Sequence, residues 1–343
     1  MTSSSIHATP IRTIHIGVGG RGRWPVELLS TDKRFHPVAL VDTVPEHLQW
    51  AANRCGLSPS ATFTDAAAAI ATVEADALII CTPTTTHARF CRLGFAAHKH
   101  VLVEKGMTFD WKEACALVAE AEQAAVAFCV AQNYRYGSEP QTLKAIIASG
   151  IYGQPHLIDY IHHRYRPEPR TLTYRNAMIW DMSCHHFDNL VYWFGPVCRV
   201  TAVTHSAPWS RYPYDAGVSA ILEFATGPVC TYELTHQATF NDYRLVLQTE
   251  RGVLRIQSGR WEFLPALGGA PFGTSGPAEP IEMVTTTRTE QGVIDDWYRY
   301  ITTRQEPGIS GRNNLETLAL CELTCRAAAR RTTVTRDELN III

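Results

Sequence analysis

What this chain lacks narrows its function first. No charge of one sign is in excess: 31 lysines and arginines stand against 33 aspartates and glutamates in 343 residues. No basic run breaks the balance, so neither a nucleic acid nor an anionic membrane is the expected partner. No apolar run approaches the roughly 20 residues that span a bilayer. The segment from Met1 to Pro10 lacks the charged stretch and apolar core of a secretory leader. The ten cysteines show no paired metal-type spacing; Cys81, Cys129 and Cys198 lie in apolar runs and read as buried free thiols. There are no internal repeats. The expectation is a protein of the reducing cytoplasm, long enough for two domains.

What is present is organised around Thr13 to Trp24. The apolar alternation of Ile14, Ile16 and Val18 runs into Gly17-x-Gly19-x-x-Gly22 and then a helix-compatible segment. Gly17 permits a tight turn, Gly19 admits a pyrophosphate against the backbone, and Gly22 lets helix and strand pack closely. The helix start supplies free N–H groups to the phosphates. A glycine turn alone is also an ordinary structural turn. Here a second apolar run, Pro37 to Val41, ends in Asp42, twenty residues after Gly22, where a carboxylate receives the adenosine ribose. A 2′-phosphate about 4 Å from that carboxylate meets roughly 4 kcal/mol of repulsion per unit charge at an effective dielectric near 20. Thr43-Val44-Pro45 bring no cation, although Arg21 and Arg23 are near in sequence. NAD is therefore expected over NADP.

Up to residue 131, short apolar runs alternate with helical patterns, which predicts a doubly wound parallel sheet: a Rossmann domain over 1–131. Helices are expected at 45–55, 65–70, 84–97 and 110–124. Ligands of such sheets sit beyond the strand C-termini. That rule gathers Gly17, Val18, Gly19, Gly20, Arg21, Gly22, Asp42, Thr43, Thr82, Pro83, Thr84, His87, Glu104, Lys105 and Asn133 as cofactor contacts. Residues 132–343 read as an α+β domain with a mostly antiparallel open sheet: strands at 155–163, 199–205, 218–224, 229–237, 244–249 and 252–257 follow one another with one helix, 181–194, among them. Residues 265–280 read as a loop, and 291–302 and 314–330 as closing helices, with the option of packing back on the first domain.

Two places hold reactive side chains. Lys105 follows Glu104 at the cofactor edge of its strand. In Trp180 to Asp188, helical spacing puts Asp181, His185 and Asp188 on one face. An N-cap aspartate and a core histidine explain the same residues without function. No metal is expected, because adjacent histidines such as His162 and His163 point apart. Acid–base work suits the set better. With an ordinary pKa of about 6.5, His185 is the natural acceptor of a hydroxyl proton. Asp181 orients its ring, and Lys105 stabilises negative charge on the oxygen. A positive nicotinamide lowers the lysine's pKa, which leaves Lys105 open as the base.

Gly17-x-Gly19-x-x-Gly22, Thr82-Pro83 with His87, Glu104-Lys105, Asn133-x-Arg135 and Asp181-x-x-x-His185-x-x-Asp188 occur in an order that resembles the glucose–fructose oxidoreductase / inositol dehydrogenase / rhizopine-catabolism family, over nearly the whole chain. The resemblance implies NAD(P) binding, reversible oxidation of a sugar or cyclitol hydroxyl, and dimers or tetramers made through the open sheet. It implies Lys105, Asp181 and His185 as catalytic. It makes Lys105, Arg135, His163, Arg164, Trp180, Asp181, His185 and His236 candidates for substrate contacts. The family usually reads Glu-Lys-Pro, commonly with a cis peptide before the proline; here Gly106 follows Lys105. Two alternatives keep the same motifs: transient oxidation with the hydride returned, giving lyase, glycosidase or oxidoreductase-pair chemistry, and a dinucleotide sensor that catalyses nothing.

Overall fold

A computed structural model describes residues 9–257, 259–267 and 275–339. The leader-segment reading of residues 1–8 and the middle of the expected loop, 268–274, lie outside them. One unit runs to Asn133 and takes up Thr287–Leu315; the other holds Tyr134–Thr286 and the chain from Glu316 on. The boundary between the units falls at 133/134, and 287–315, within the closing segment that the sequence left free to pack back, goes with the first unit. Among the described residues no helix is long and apolar enough to cross a membrane.

In the first unit, β1 (Ile11–Ile16), β2 (Phe35–Val41), β3 (Thr62–Phe63), β4 (Ala77–Ile80), β5 (His100–Glu104) and β6 (Phe128–Ala131) form a sheet in the order β3-β2-β1-β4-β5-β6. All its pairings are parallel. The order reverses at β1, so the crevice outside the C-termini of β1 and β4 is where such a sheet takes a ligand. Helices α1 (Arg23–Leu29), α2 (Pro45–Cys55), α3 (Ala66–Thr72), α4 (His87–Ala96) and α5 (Trp111–Gln123) make the crossovers. Their ends follow local chemistry. Pro45 opens α2 and Gly56, in the left-handed region, closes it; the carboxylates of Asp65 and Asp110 cap α3 and α5.

The second unit begins with α6 (Ser138–Ser149), a helix not anticipated from the sequence, and β7 (Pro155–Tyr165), then α7 (Cys184–Phe194). Strands β8 (Val197–His205), β9 (Gly217–Phe224), β10 (Val229–Thr235), β11 (Gln237–Thr249), β12 (Gly252–Gln257), β13 (Arg260–Pro265) and β14 (Glu279–Pro280) follow. The helix α8 (Thr289–Thr303) belongs to the first unit, where Trp297 is buried and stacks on Phe35 at 5.7 Å. Helix α9 (Gly311–Arg330) and β15 (Val334–Thr335) end the chain's regular structure. The nine-stranded sheet runs β14-β13-β12-β11-β7-β10-β9-β8-β15. It is antiparallel except for β7 against β10. The expected loop at 265–280 is flanked by β13 and β14, which pair with each other.

Strand parity decides which side chains of β7 meet α7. Tyr160 lies edge-on against His186 of α7, and His162 bonds to it. Residues 158, 160, 162 and 164 therefore share the helix-covered face, and 159, 161, 163 and 165 the opposite one.

Candidate active site

The glycine turn is built by close approach. Gly17 has φ +81°, and a Cβ on it would lie 2.9 Å from the Cys81 carbonyl; a Cβ on Gly22 would fall 1.8 Å from the Gly17 oxygen. Only bare backbone fits there, which keeps the strand end and the helix start open to a phosphate. Beside the turn is a cavity of about 450 Å³ lined by Gly17, Gly19, Asp42, Thr43, Thr82 and Pro83, as expected, and also by His47, Thr86, Arg89 and Phe90. The last four were not singled out in the sequence; nothing in their spacing marks them. Asp42 accepts the N–H groups of Val18 (2.9 Å), Gly19 (3.1 Å) and Val44 (2.9 Å), with His47 at 3.3 Å. Burial works against its charge, yet the amides of Val44 and Val18, the His47 ring and the Gly19 amide together hold its pKa below the usual carboxylate value. A fixed anion at the end of β2, beside a cradle with no room for side chains, fits the ribose and pyrophosphate of NAD.

The nearby arginines do not oppose that charge. Arg21 donates to Glu104 Oε1 at 3.0 and 2.7 Å, and Arg23 lies over the Trp50 ring at 4.7 Å. Glu104 Oε1 also takes the Trp24 indole N–H at 3.0 Å, and Oε2 the Lys105 amide at 2.9 Å. Glu104, expected to touch cofactor, is buried and holds the backbone of Lys105 instead. The Lys105–Gly106 peptide is cis. His87 is likewise a brace rather than a crevice residue: 1% exposed, its Nδ1 meets the Gly106 carbonyl at 2.8 Å and its Nε2 the Thr82 carbonyl at 2.7 Å. Thr84 opens the short turn before α4. Asn133 is buried, with its amide on Thr289 at 3.1 Å.

In the second unit, Met178–Ser183 is a π-helix that runs directly into α7, a wide turn common at functional sites. Asp181 lies in it and accepts the Tyr174 hydroxyl at 2.7 Å; the preceding Trp180 is buried. His185 follows on α7, 7% exposed, with the Tyr134 ring stacked on its imidazole at 3.9 Å and 13°.

Three expectations change here. Asp188, read as sharing a face with Asp181 and His185, is fully buried and accepts Arg135 at 2.8 and 2.6 Å and the Thr317 hydroxyl at 3.0 Å. The wide turn breaks the α-helical count on which the shared face rested. Arg135, expected at substrate, is consumed by this pair. His163 lies on the sheet face away from α7, paired with Glu233 at 3.0 Å. Arg164 and His162 are on the α7 side. His162 Nδ1 meets His186 Nε2 at 2.9 Å, His186 Nδ1 meets the Tyr232 hydroxyl at 2.8 Å, and that hydroxyl donates to Ser183 at 2.9 Å. Burial pushes His162 down to about 4, with Arg164 adding to it. His236 is buried at the end of β10, its Nδ1 3.1 Å from the Tyr212 hydroxyl.

Comparison with known proteins finds one family over most of the chain. The oxidoreductase family with an NAD-binding Rossmann fold matches residues 11–132, and the GFO/IDH/MocA C-terminal domain matches 141–255. The inositol 2-dehydrogenase of Rhizobium meliloti (strain 1021) is 24% identical over 92% of this chain and 96% of its own. The D-apiose dehydrogenase of Paraburkholderia graminis is 24% identical over 87% of this chain and 82% of its own. A solved oxidoreductase from Agrobacterium radiobacter, in complex with NAD+, L-tartaric acid and magnesium, has a TM-score of 0.81 at 21% identity, covering 96% of this chain and all of that one (100%).

Proposed function

The chain belongs to the GFO/IDH/MocA family of NAD-binding Rossmann oxidoreductases, and from that premise we propose that it oxidises, reversibly, a secondary hydroxyl of a sugar, cyclitol or sugar derivative. It is a dehydrogenase-type enzyme with NAD as cofactor. The observation that carries the substrate reading is the setting of His185: a buried imidazole stacked on the Tyr134 ring, four residues after an aspartate that accepts the Tyr174 hydroxyl.

Gly17, Gly19, Asp42 and Thr43 hold the cofactor, which when bound accepts a hydride. His185 takes the hydroxyl proton, as an imidazole can accept a proton in one direction of the reaction and return it in the other. Asp181 selects its tautomer and stabilises the imidazolium. Lys105, its backbone fixed through Glu104, donates to the substrate oxygen as charge develops there. A spectrophotometric screen of sugars, inositols and glycosides with NAD tests this. Reduced cofactor is expected from at least one polyol; saturating NAD binding with no reduction by any of them contradicts it.

The proposal extends to a cytoplasmic homodimer or homotetramer. Val203 and Ile221, 48% and 49% exposed, stand on the sheet face turned away from α7 with Ile161. Light scattering is expected to give two or four chains for the wild type and one for Ile221→Asp; a monomeric wild type contradicts it.

A further inference from the structure

On the strand that bonds to α7, and just past its end, the second unit carries two arginines, Arg164 and Arg166, that no carboxylate pairs with among the described residues. Arg164 shares the α7-covered face of β7 with His162, one side-chain repeat or about 7 Å along the strand, and His162 bonds to His186, the neighbour of His185. The Arg166 amide bonds to the His236 carbonyl at 2.9 Å, which brings the strand ends of β7 and β10 together. Tyr212 ties the corner, its hydroxyl 2.9 Å from the Arg166 carbonyl and 3.1 Å from His236 Nδ1. The other ring nitrogen of His236, Nε2, is buried and has no partner among the described residues.

The acids of this region are engaged elsewhere. Glu168 pairs with Arg211, Glu233 with His163, and Asp242 with Arg244; Glu139 takes the Tyr243 hydroxyl. Among the described residues no carboxylate pairs with Arg164 or Arg166. Both arginines are half-buried residues, and an unpaired charge costs more the less water reaches it. Burial first, then Arg166 and Arg164, press the His236 imidazole down to about 3, so it stays neutral and offers an N–H or a lone pair without adding charge.

We propose that Arg164, Arg166 and Nε2 of His236 form an oxyanion subsite, so that the polyhydroxylated substrate carries a carboxylate or phosphate group. This rests on the dehydrogenase reading for the hydroxyl it oxidises, but the subsite itself is a matter of binding. A guanidinium fork matches either oxyanion with two parallel N–H donors. Anchoring the charged end there leaves a hydroxyl further along the substrate to reach His185.

Calorimetry on the NAD-loaded protein tests it, with gluconate, glucuronate and glucose 6-phosphate each compared with glucose. At least one anion is expected to bind about 10- to 100-fold tighter than glucose, the range of one charge-assisted hydrogen bond. The carboxylate and phosphate arms identify which group is taken. Arg166→Met is expected to bring the anion to the affinity of glucose with NAD affinity and thermal midpoint unchanged, and added salt to weaken the anion alone. Arg166→Lys, which keeps the charge, serves if the methionine variant does not fold; partial retention is expected. Equal affinity for every anion and glucose in the wild type, or equal loss of both in the variant, overturns the proposal. Arginine-dependent anion binding with no NAD reduction would leave the subsite standing and remove the dehydrogenase reading.

Discussion

The Tyr134 ring lies parallel to the His185 imidazole, centroids 3.9 Å apart and planes 13° from one another. Such a stack is worth about 0.5–1.5 kcal/mol beyond its area and fixes the plane in which the ring nitrogens point. Tyr134→Phe is therefore expected to keep kcat near wild type, and Tyr134→Ala to lower it by about 2- to 10-fold with a smaller change in KM. Equal kcat for the alanine variant, in steady-state assays, contradicts the orienting role.

We propose that Asp42 sets the cofactor choice. Its charge is held by four N–H donors, and Arg21 and Arg23 are committed to Glu104 and Trp50. Asp42→Ala is expected to weaken NAD and to narrow the NAD-over-NADP preference by about 10- to 100-fold, well within the roughly 4 kcal/mol of contact repulsion. Fluorescence titration of both cofactors checks it. An unchanged ratio would place discrimination elsewhere.

Arg135 and Asp188 form a buried pair, side chains 7% and 1% exposed. Removing one partner strands the other's charge, so Asp188→Ala and Arg135→Ala are each expected to cost about 3–5 kcal/mol in urea unfolding. The double variant should cost less than the sum. A loss below about 1 kcal/mol in the single variants contradicts a structural role for the pair.

Two fully buried histidines, His15 and His236, have pKa values pressed down to about 3, chiefly by burial. In the unfolded chain they titrate near 6.5. Between those values the unfolded state binds more protons, so stability is full above about pH 6.5 and falls on acidification toward pH 3, by up to about 1.4 kcal/mol per pH unit for each histidine. Urea unfolding across pH 7.5 to 4.5 should show that slope, and His15→Gln should flatten it. A slope unaffected by the substitution excludes the His15 share.

How far this was legible follows from where the signals lie. Helix α2 was read to the residue because Pro45 and Gly56 mark both ends locally. The parallel sheet and its glycine turn were legible for the same reason: strand period, turn and acid occur in one short stretch. Strand β11 was read as 244–249 although it starts at Gln237, since exposed Phe240 and Asn241 and a register shift between Gln237 and Asp242 hide the alternation. The pairings of Arg21 with Glu104 and Arg135 with Asp188 join residues 83 and 53 positions apart, beyond any local pattern. The π turn at Met178–Ser183 has no periodic mark, and with it the shared face of Asp181, His185 and Asp188 was lost.

The most direct measurement of the central claim is label transfer. The NAD-loaded protein is mixed with polyols and sugar acids deuterated at the carbinol carbon, and the cofactor is analysed by mass spectrometry within one turnover. Deuterium on the nicotinamide is expected with at least one substrate, falling by at least about 100-fold, the scale of general acid–base catalysis, in His185→Ala and Lys105→Met while NAD stays bound. Cofactor that remains unlabelled with every substrate at saturation, or labels equally in both variants, would contradict it.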